Sequence, residues 1–451
     1  MENYNKGFVY FICLVSAMGG LLFGYDWVVI GGAKIFYEQY FDISGSPAMQ
    51  GLAMSIALAG CLIGALAAGM LADKLGRKIL LLVSAFIFMT TAYGTGAFDS
   101  FAPFLAVRFM GGIAIGIASG LSPMYIAEVA PASIRGKLVS LNQLTIVIGI
   151  LAAQIVNWSL VSDDMGWNIE KAWRWMFWAA AFPAAAFLIL AMFIPESPRW
   201  LAMKGRKEKA FATLVRIGGD EYAEGELRTF EEADARRREQ GGLRLLFSKP
   251  YRLVLVIGIV VAMFQQWCGT NVIFNYAQEI FQSAGYDVDS TFINIVVTGI
   301  ANLIFTFVAI YTVDRLGRRA LMLIGAGGLA GIYAILGLCY YMEVSGVMMV
   351  ALVVLAIACY AMSLGPVTWV LLSEIFPNRV RAVAVAVGTF ALWMASCILT
   401  YTFPFLNAFL GTSGTFWIYA CICLAGFIFF LYRLPETKGK SLEELEKELL
   451  E

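Results

Sequence analysis

Phe23-Gly24-Tyr25-Asp26-Trp27-Val28-Val29-Ile30-Gly31-Gly32 is the stretch whose reading decides the fold. It lies in an apolar run between Lys6 and Lys34 in which Asp26 is the one charged residue. About twenty apolar residues, rising about 1.5 Å each, cross the roughly 30 Å hydrocarbon layer of a bilayer, so the run reads as a membrane-crossing helix. An ionised side chain part-way along such a helix costs roughly 2.5–3.5 kcal/mol even on lenient insertion scales. Asp26 therefore needs a partner or water, which makes it the lead candidate for a coupling-ion site.

The surrounding chain has the same character. Its 451 residues are 60% hydrophobic and 14% charged, with a mean hydropathy of +0.76, whereas a soluble protein carries about 25% charge. The fold class is an all-α membrane protein. Net charge is zero, so no global field argues for a nucleic-acid partner. The eight cysteines lie in apolar segments without metal-ligand spacing and read as buried small hydrophobes rather than disulfides or a metal site. The first six residues lack the basic start of a cleaved leader, so the first span is expected to be retained.

Hydropathy predicts twelve spans, near 8–32, 48–71, 79–97, 102–126, 138–161, 173–194, 252–282, 291–313, 320–341, 347–373, 381–406 and 412–432. If the N-terminus is cytoplasmic, inward segments hold 28 of the 32 Lys and Arg, while the outward connections hold Lys34, Lys171 and Arg174. That asymmetry places both termini in the cytoplasm. The polar segment 196–250 divides the spans six and six, and its charged runs from Lys204 to Arg216 and Tyr222 to Gln240 read as surface helices separated by Gly218-Gly219. The expected organisation is a six-helix bundle over 1–195, a cytoplasmic helical linker over 196–250, a second bundle over 251–434 and a cytoplasmic tail over 435–451.

The two halves repeat. Asp73-Lys74-Leu75-Gly76-Arg77-Lys78 answers Asp314-Arg315-Leu316-Gly317-Arg318-Arg319 at an offset of 241 residues. Glu128, with Pro131 and Arg135 after it, answers Glu374, with Pro377 and Arg381, at 246; Pro195-Glu196-Ser197 answers Pro435-Glu436-Thr437 at 240. Duplicated six-helix halves are the build of transporters that alternate access around a midplane site.

Two groups of residues within the membrane can carry chemistry. Arg108, six residues into the fourth span, is the basic residue placed in the hydrocarbon, and two opposite intramembrane charges in one half invite pairing. Paired, Asp26 stays ionised; desolvated without its partner, it takes a proton. With no histidine in the chain, any proton carrier must be a carboxylate. A permanent buried ion pair that only locks the helices is the alternative. In the seventh span, Asn271, Asn275, Gln278 and Gln282 fall at i, i+4, i+7 and i+11, a single helical stripe of amides, with Gln265 and Gln266 before them and Gly269 able to bend the helix. Amides offer the donors and acceptors that vicinal hydroxyls need, although amides also join membrane helices to one another. Gly365-Pro366 and Pro404 are expected to bend spans ten and eleven.

The loop motifs, Pro195-Glu196-Ser197-Pro198-Arg199, Gln265-Gln266-Trp267-Cys268-Gly269-Thr270-Asn271 and Pro435-Glu436-Thr437-Lys438-Gly439 together resemble the sugar porter family of the major facilitator superfamily, its bacterial sugar–proton symporters above all. The resemblance covers nearly the whole chain. It implies the major facilitator fold, two six-helix pseudo-repeat bundles, and a symporter importing a neutral pentose or hexose with protons. A facilitative uniporter and a non-transporting sugar sensor are the alternatives. An acid at the position of Asp26 is what resembles the proton-coupled members. Sugar contacts would be Gln154, Gln265, Gln266, Asn271, Asn302, Trp369 and Trp393, with Phe23 and Tyr276 as wall or gate aromatics. Many relatives have an amide just before and three residues after Trp393, where this chain has Leu392 and Ser396. The acids and bases Asp73, Arg77, Glu128, Arg135, Asp314, Arg318, Glu374 and Arg381, with Glu196 and Glu436, would form a cytoplasmic latch of exposed ion pairs, each worth about 0–1 kcal/mol. The implied partners are a monosaccharide, protons and the lipid bilayer of a bacterial inner membrane, with a monomer as the working unit.

No enzyme is expected. Gly439-Lys440-Ser441 mimics the end of a phosphate loop, but Leu434 stands where the earlier glycine is required. No motif calls for a cofactor or a metal.

Overall fold

The computed structural model describes residues 4–162, 169–237, 243–377 and 380–438. The tail beyond residue 438 lies outside the described residues, as do the side chains of Asp314 and of residues 231–237.

Every element is helical. The first half holds α1 (Lys6–Tyr40), α2 (Pro47–Leu75), α3 (Arg77–Ala97), α4 (Phe101–Val129), α5 (Arg135–Ser162), α6 (Ile169–Trp178) and α7 (Ala181–Phe193). The polar segment forms α8 (Pro198–Met203), α9 (Lys207–Gly218), α10 (Asp220–Arg237) and α11 (Leu243–Leu246). The second half comprises α12 (Arg252–Trp267), α13 (Thr270–Asn275), α14 (Ala277–Ser283), α15 (Val288–Leu316), α16 (Arg318–Tyr341), α17 (Val347–Met362), α18 (Leu364–Glu374) and α19 (Arg381–Arg433).

Among the described residues, 11 helical stretches are long and apolar enough to cross a membrane. The last of these breaks at Gly411, whose φ of 67° and ψ of 176° only a residue without a side chain adopts readily. It therefore supplies two spans, and the total is the expected twelve. Spans six, seven and ten are interrupted. Span six breaks at Ala179-Ala180, ahead of Pro183, which has no N–H to offer the carbonyl one turn back. Span ten breaks at Ser363 (φ −127°, ψ −87°), three residues before Pro366, so the bend expected from Gly365-Pro366 falls one turn early. Span seven breaks twice, at Gly269 (φ 85°) and at Tyr276 (φ −123°, ψ 25°). The single stripe of Asn271, Asn275, Gln278 and Gln282 read from the sequence is thereby divided between two short helices, α13 and α14. Pro404, by contrast, is accommodated inside α19.

The chain divides into two compact units. One comprises Met1–Asp26, Gly60–Gly149 and Phe177–Gln240; the other comprises Trp27–Ala59, Ile150–Met176 and Gly241–Glu451. These boundaries differ from the repeat boundary, because α1, α2 and α5 each contribute to both units. In the first unit α3 packs on α4 and α7, and the surface helices build a small core of their own from Trp200, Leu201 and Ala210. In the second, α19 packs on α12 and α16, and α15 on α17. The cysteines are all free: five are buried, Cys359 and Cys397 are half-buried, and Cys421 is exposed.

Candidate functional site

Asp26 and Arg108 meet inside the first unit. Arg108 Nη1 donates to Asp26 Oδ1 at 2.8 Å, with the two side chains 3% and 15% exposed. The Phe177 ring lies beneath the guanidinium, 5.3 Å from its centre. The pair is single-pronged: among the described residues neither Asp26 Oδ2 nor Arg108 Nε has a hydrogen-bond partner. A bidentate arginine–carboxylate fork would satisfy both oxygens and fix the acid as an anion. Here one buried carboxylate oxygen is left outside the pair.

The residues expected to contact sugar, Phe23 excepted, all fall within the second unit, including Gln154 from the fifth span. Asn271 Nδ2 donates to Gln266 Oε1, Gln266 Nε2 to Gln265 Oε1 at 2.6 Å, and Gln265 Nε2 to the Tyr360 hydroxyl at 2.7 Å. Gly269, left-handed at φ 85°, breaks the helix between Gln266 and Asn271. Gln154 is 1% exposed, yet neither atom of its amide has a partner among the described residues; it packs over Gly299, three residues before the buried Asn302. An unpaired buried amide costs about 1–3 kcal/mol. Trp393 is 2% exposed and packs against Trp27 with ring centres 6.1 Å apart and planes tilted by 42°, whereas Trp369 is 42% exposed. Ser396 is fully buried with a hydroxyl that lacks a partner among the described residues, so a polar atom survives where relatives carry an amide. Tyr276 is buried on Phe403, and Phe23 is buried in the first unit. Tyr360 was not read from the sequence, because one tyrosine among many in apolar spans carries no local signal.

The loop-motif charges form two matching clusters, one in each unit. In the first, Arg77 binds Glu128 at 2.9 Å and Asp73 at 3.2 Å, and Ser197 Oγ donates to the other Glu128 oxygen at 2.5 Å. In the second, Arg318 binds Glu374 at 3.0 Å, and Thr437 Oγ1 donates to the other Glu374 oxygen at 2.6 Å. Glu196 accepts the main-chain N–H groups of Arg77 and Lys78, and Glu436 those of Arg318 and Arg319. Each glutamate thus caps a helix N-terminus from a distant point in the chain, favoured by the positive end of the helix dipole. Gly76 (φ 96°) and Gly317 (φ 92°) leave room for these carboxylates, which a Cβ would strike. Arg135 and Arg381 each donate to the carbonyl five residues before them, Ala130 and Phe376.

The expectation that these pairs are exposed is corrected for the two arginine–glutamate pairs: side-chain exposure is 5% for Arg77 and 7% for Glu128, against 13% and 26% for Arg318 and Glu374. Asp73 has the most open side chain of these partners, at 44% exposure. The Ser197 and Thr437 roles were legible in principle, since both residues follow the same Pro-Glu pair in the two repeats.

Lys34 also departs from its expected place in an outward connection. Helix α1 continues to Tyr40, and Lys34 is 2% exposed. Its ammonium lies 2.8 Å from Glu38 and is paired with Glu279 of α14. A lysine at the end of an apolar run reads as a topology signal; the Lys34/Glu38 spacing of four was the one hint of a pair.

A continuous set of membrane helices in two repeats, with buried charges and unpaired amides at mid-chain, defines a polytopic membrane transporter. The family model "Sugar (and other) transporter" matches residues 12–449, and the chain belongs to that family. It is 38% identical to the D-xylose-proton symporter of Escherichia coli (strain K12), over 98% of this chain and 96% of that protein, and 37% identical to the arabinose-proton symporter of Bacillus subtilis (strain 168), over 99% and 96%. Among solved structures, the inward open conformation of the xylose transporter XylE from E. coli superposes with a TM-score of 0.87 at 36% identity, covering 98% of this chain and 99% of that one.

Proposed function

We propose that the protein is a proton-coupled symporter that imports a neutral monosaccharide, pentose or hexose, by alternating access. The observation that carries the coupling is the single-pronged Asp26–Arg108 pair. With Arg108 engaged, Asp26 is an anion; when a helix movement draws the guanidinium away, the desolvated carboxylate takes a proton. Proton binding and conformational change are then one equilibrium, as coupling requires.

Gln154, Gln265, Gln266, Asn271 and Asn302 supply the amides for sugar hydroxyls, and Trp393 and Trp369 supply faces for the C–H side of the ring. The amide relay also gives the empty site a neutral resting network, with no charge to desolvate. The two repeats, 1–195 and 251–434, are the bodies that move, joined by the linker 196–250, with both termini in the cytoplasm. Asp73, Arg77, Glu128, Arg135 and Glu196, together with Asp314, Arg318, Glu374, Arg381 and Glu436, brace the cytoplasmic helix ends and form the latch of the outward-open state. The unit works as a monomer in the inner membrane.

The test is Asp26→Asn in proteoliposomes that contain a pH-sensitive dye. Sugar-driven proton entry disappears while sugar exchange survives; unchanged proton entry rejects symport and leaves Asp26 as a structural residue of a uniporter. No sugar movement in the native protein either would favour the sensor.

A further inference from the structure

We infer that Lys34, Glu38 and Glu279 form a breakable tether at the outer end of the transporter, in which Glu279 is the releasable partner of Lys34 and Glu38 the permanent one. The inference rests on the transport reading above.

Helix α14 is hinged. It is cut from α13 at Tyr276, whose hydroxyl donates to the Thr400 carbonyl at 2.7 Å and anchors the hinge. Three contacts bind this hinged region to α1: Lys34 to Glu279, Gln278 Nε2 to the Gly32 carbonyl at 2.7 Å, and the close approach of Gly31 to the Asn275 carbonyl, which leaves no room for a Cβ. Helix α1 belongs to the first repeat and α14 to the second, so separating the repeats at this end must break all three.

The charges are arranged for that break. A lysine buried to 2% cannot be left without a counter-charge. Two carboxylates on one ammonium leave one in surplus. Glu38 is four residues along the same helix, so it travels with Lys34, and Gln50 Nε2 donates to its second oxygen at 3.2 Å and holds it there. Glu279 is 26% exposed and lines a cavity of about 440 Å³ with Gln50, Gln282, Pro404 and Asn407. Water is already at hand for this carboxylate when it parts from the ammonium. The Tyr276 ring faces Lys34 at 5.5 Å and is the remaining cation partner at the hinge. Opening therefore strands no charge: Lys34 keeps Glu38, and Glu279 is hydrated.

The two acids consequently have opposite effects when neutralised. Hydrogen–deuterium exchange is measured on the full-length protein in nanodiscs, with and without D-xylose as the probe. Glu279→Gln releases the tether and raises amide exchange in α14 by about tenfold. Glu38→Gln removes the keeper, so that opening would strand Lys34, and it slows exchange in α14 several-fold. Exchange in α17 stays unchanged in both. Shifts of the same sign, or no shift in α14, overturn the tether. Should Glu279→Gln fail to assemble, Glu279→Asp, shorter by one methylene, gives a smaller rise, and the absence of that rise overturns the proposal equally. A native protein whose exchange D-xylose alters nowhere fails the transport reading; a native protein that responds, with variants that lack the opposite shifts, fails the tether alone.

Discussion

The loop-motif clusters of the two repeats are near copies of one another, whereas their membrane interiors have diverged. Arg77, Glu128, Glu196 and Ser197 find their counterparts in Arg318, Glu374, Glu436 and Thr437, down to which oxygen accepts which hydrogen. The interior does not repeat. At the offset of 240 residues Asp26 falls on Gln266 and Arg108 on Met348. The first repeat keeps a buried ion pair and the second an amide relay. The clusters that hold helix ends together match in the two repeats; the membrane interiors differ, an ion pair in one and neutral amides in the other.

The contrast can be broken most forcefully at the ion pair. Arg108→Met leaves the Asp26 carboxylate buried without its partner, at a cost of about 3–5 kcal/mol. The expected result is loss of proton-coupled uptake together with a lower melting temperature, and Asp26→Asn in the same chain restores the folded yield. A variant with native melting and native coupling would contradict the pair's role. In the second repeat, Asn271→Ala severs the relay and lowers sugar affinity about tenfold, or about 1.4 kcal/mol, with Gln265→Ala doing the same. Equilibrium binding with labelled D-xylose reads this, and unaltered affinity would make the amides helix glue.

The next test sharpens the comparison of the copies. Because Arg77 and Glu128 are the more buried pair, Arg77→Gln is expected to cost about 3 kcal/mol and Arg318→Gln about 1 kcal/mol. Thermal unfolding in detergent decides the order, and equal losses would mean that burial of the first cluster contributes nothing. The smallest effects are expected for the hydroxyls: Thr437→Val forfeits one hydrogen bond to a carboxylate, about 1–2 kcal/mol, and Ser197→Ala forfeits the like bond together with its N-cap bond from the Trp200 N–H, so it should lower the melting temperature more. Equal losses would mean that the Trp200 cap contributes nothing.

Which features were legible follows from the range of the interactions. The spans, their number and the repeat were readable because each rests on local composition or on residues at fixed spacing. Asp26 stood out because a charge in hydrocarbon is costly wherever it is met. The role of Glu196 was only half readable: its copy in Glu436 marked it, but capping α3 from 119 residues away did not follow from sequence. The break at Tyr276 gave no warning, since neither glycine nor proline stands there. Lys34 was misplaced because the end of an apolar run and the start of a loop look alike until the neighbouring helix is known.

The sequence alone determined that this chain crosses a membrane about twelve times in two related halves and carries an acid where none is cheap. Only the tertiary structure decided that the acid meets Arg108 through one oxygen and leaves the other unpaired, that the amides join into a relay ending on Tyr360, and that Lys34 is shared between two carboxylates. The physical reason is that membrane insertion is a sum over neighbouring residues, while pairing, burial and hydrogen bonding depend on which distant helices come into contact.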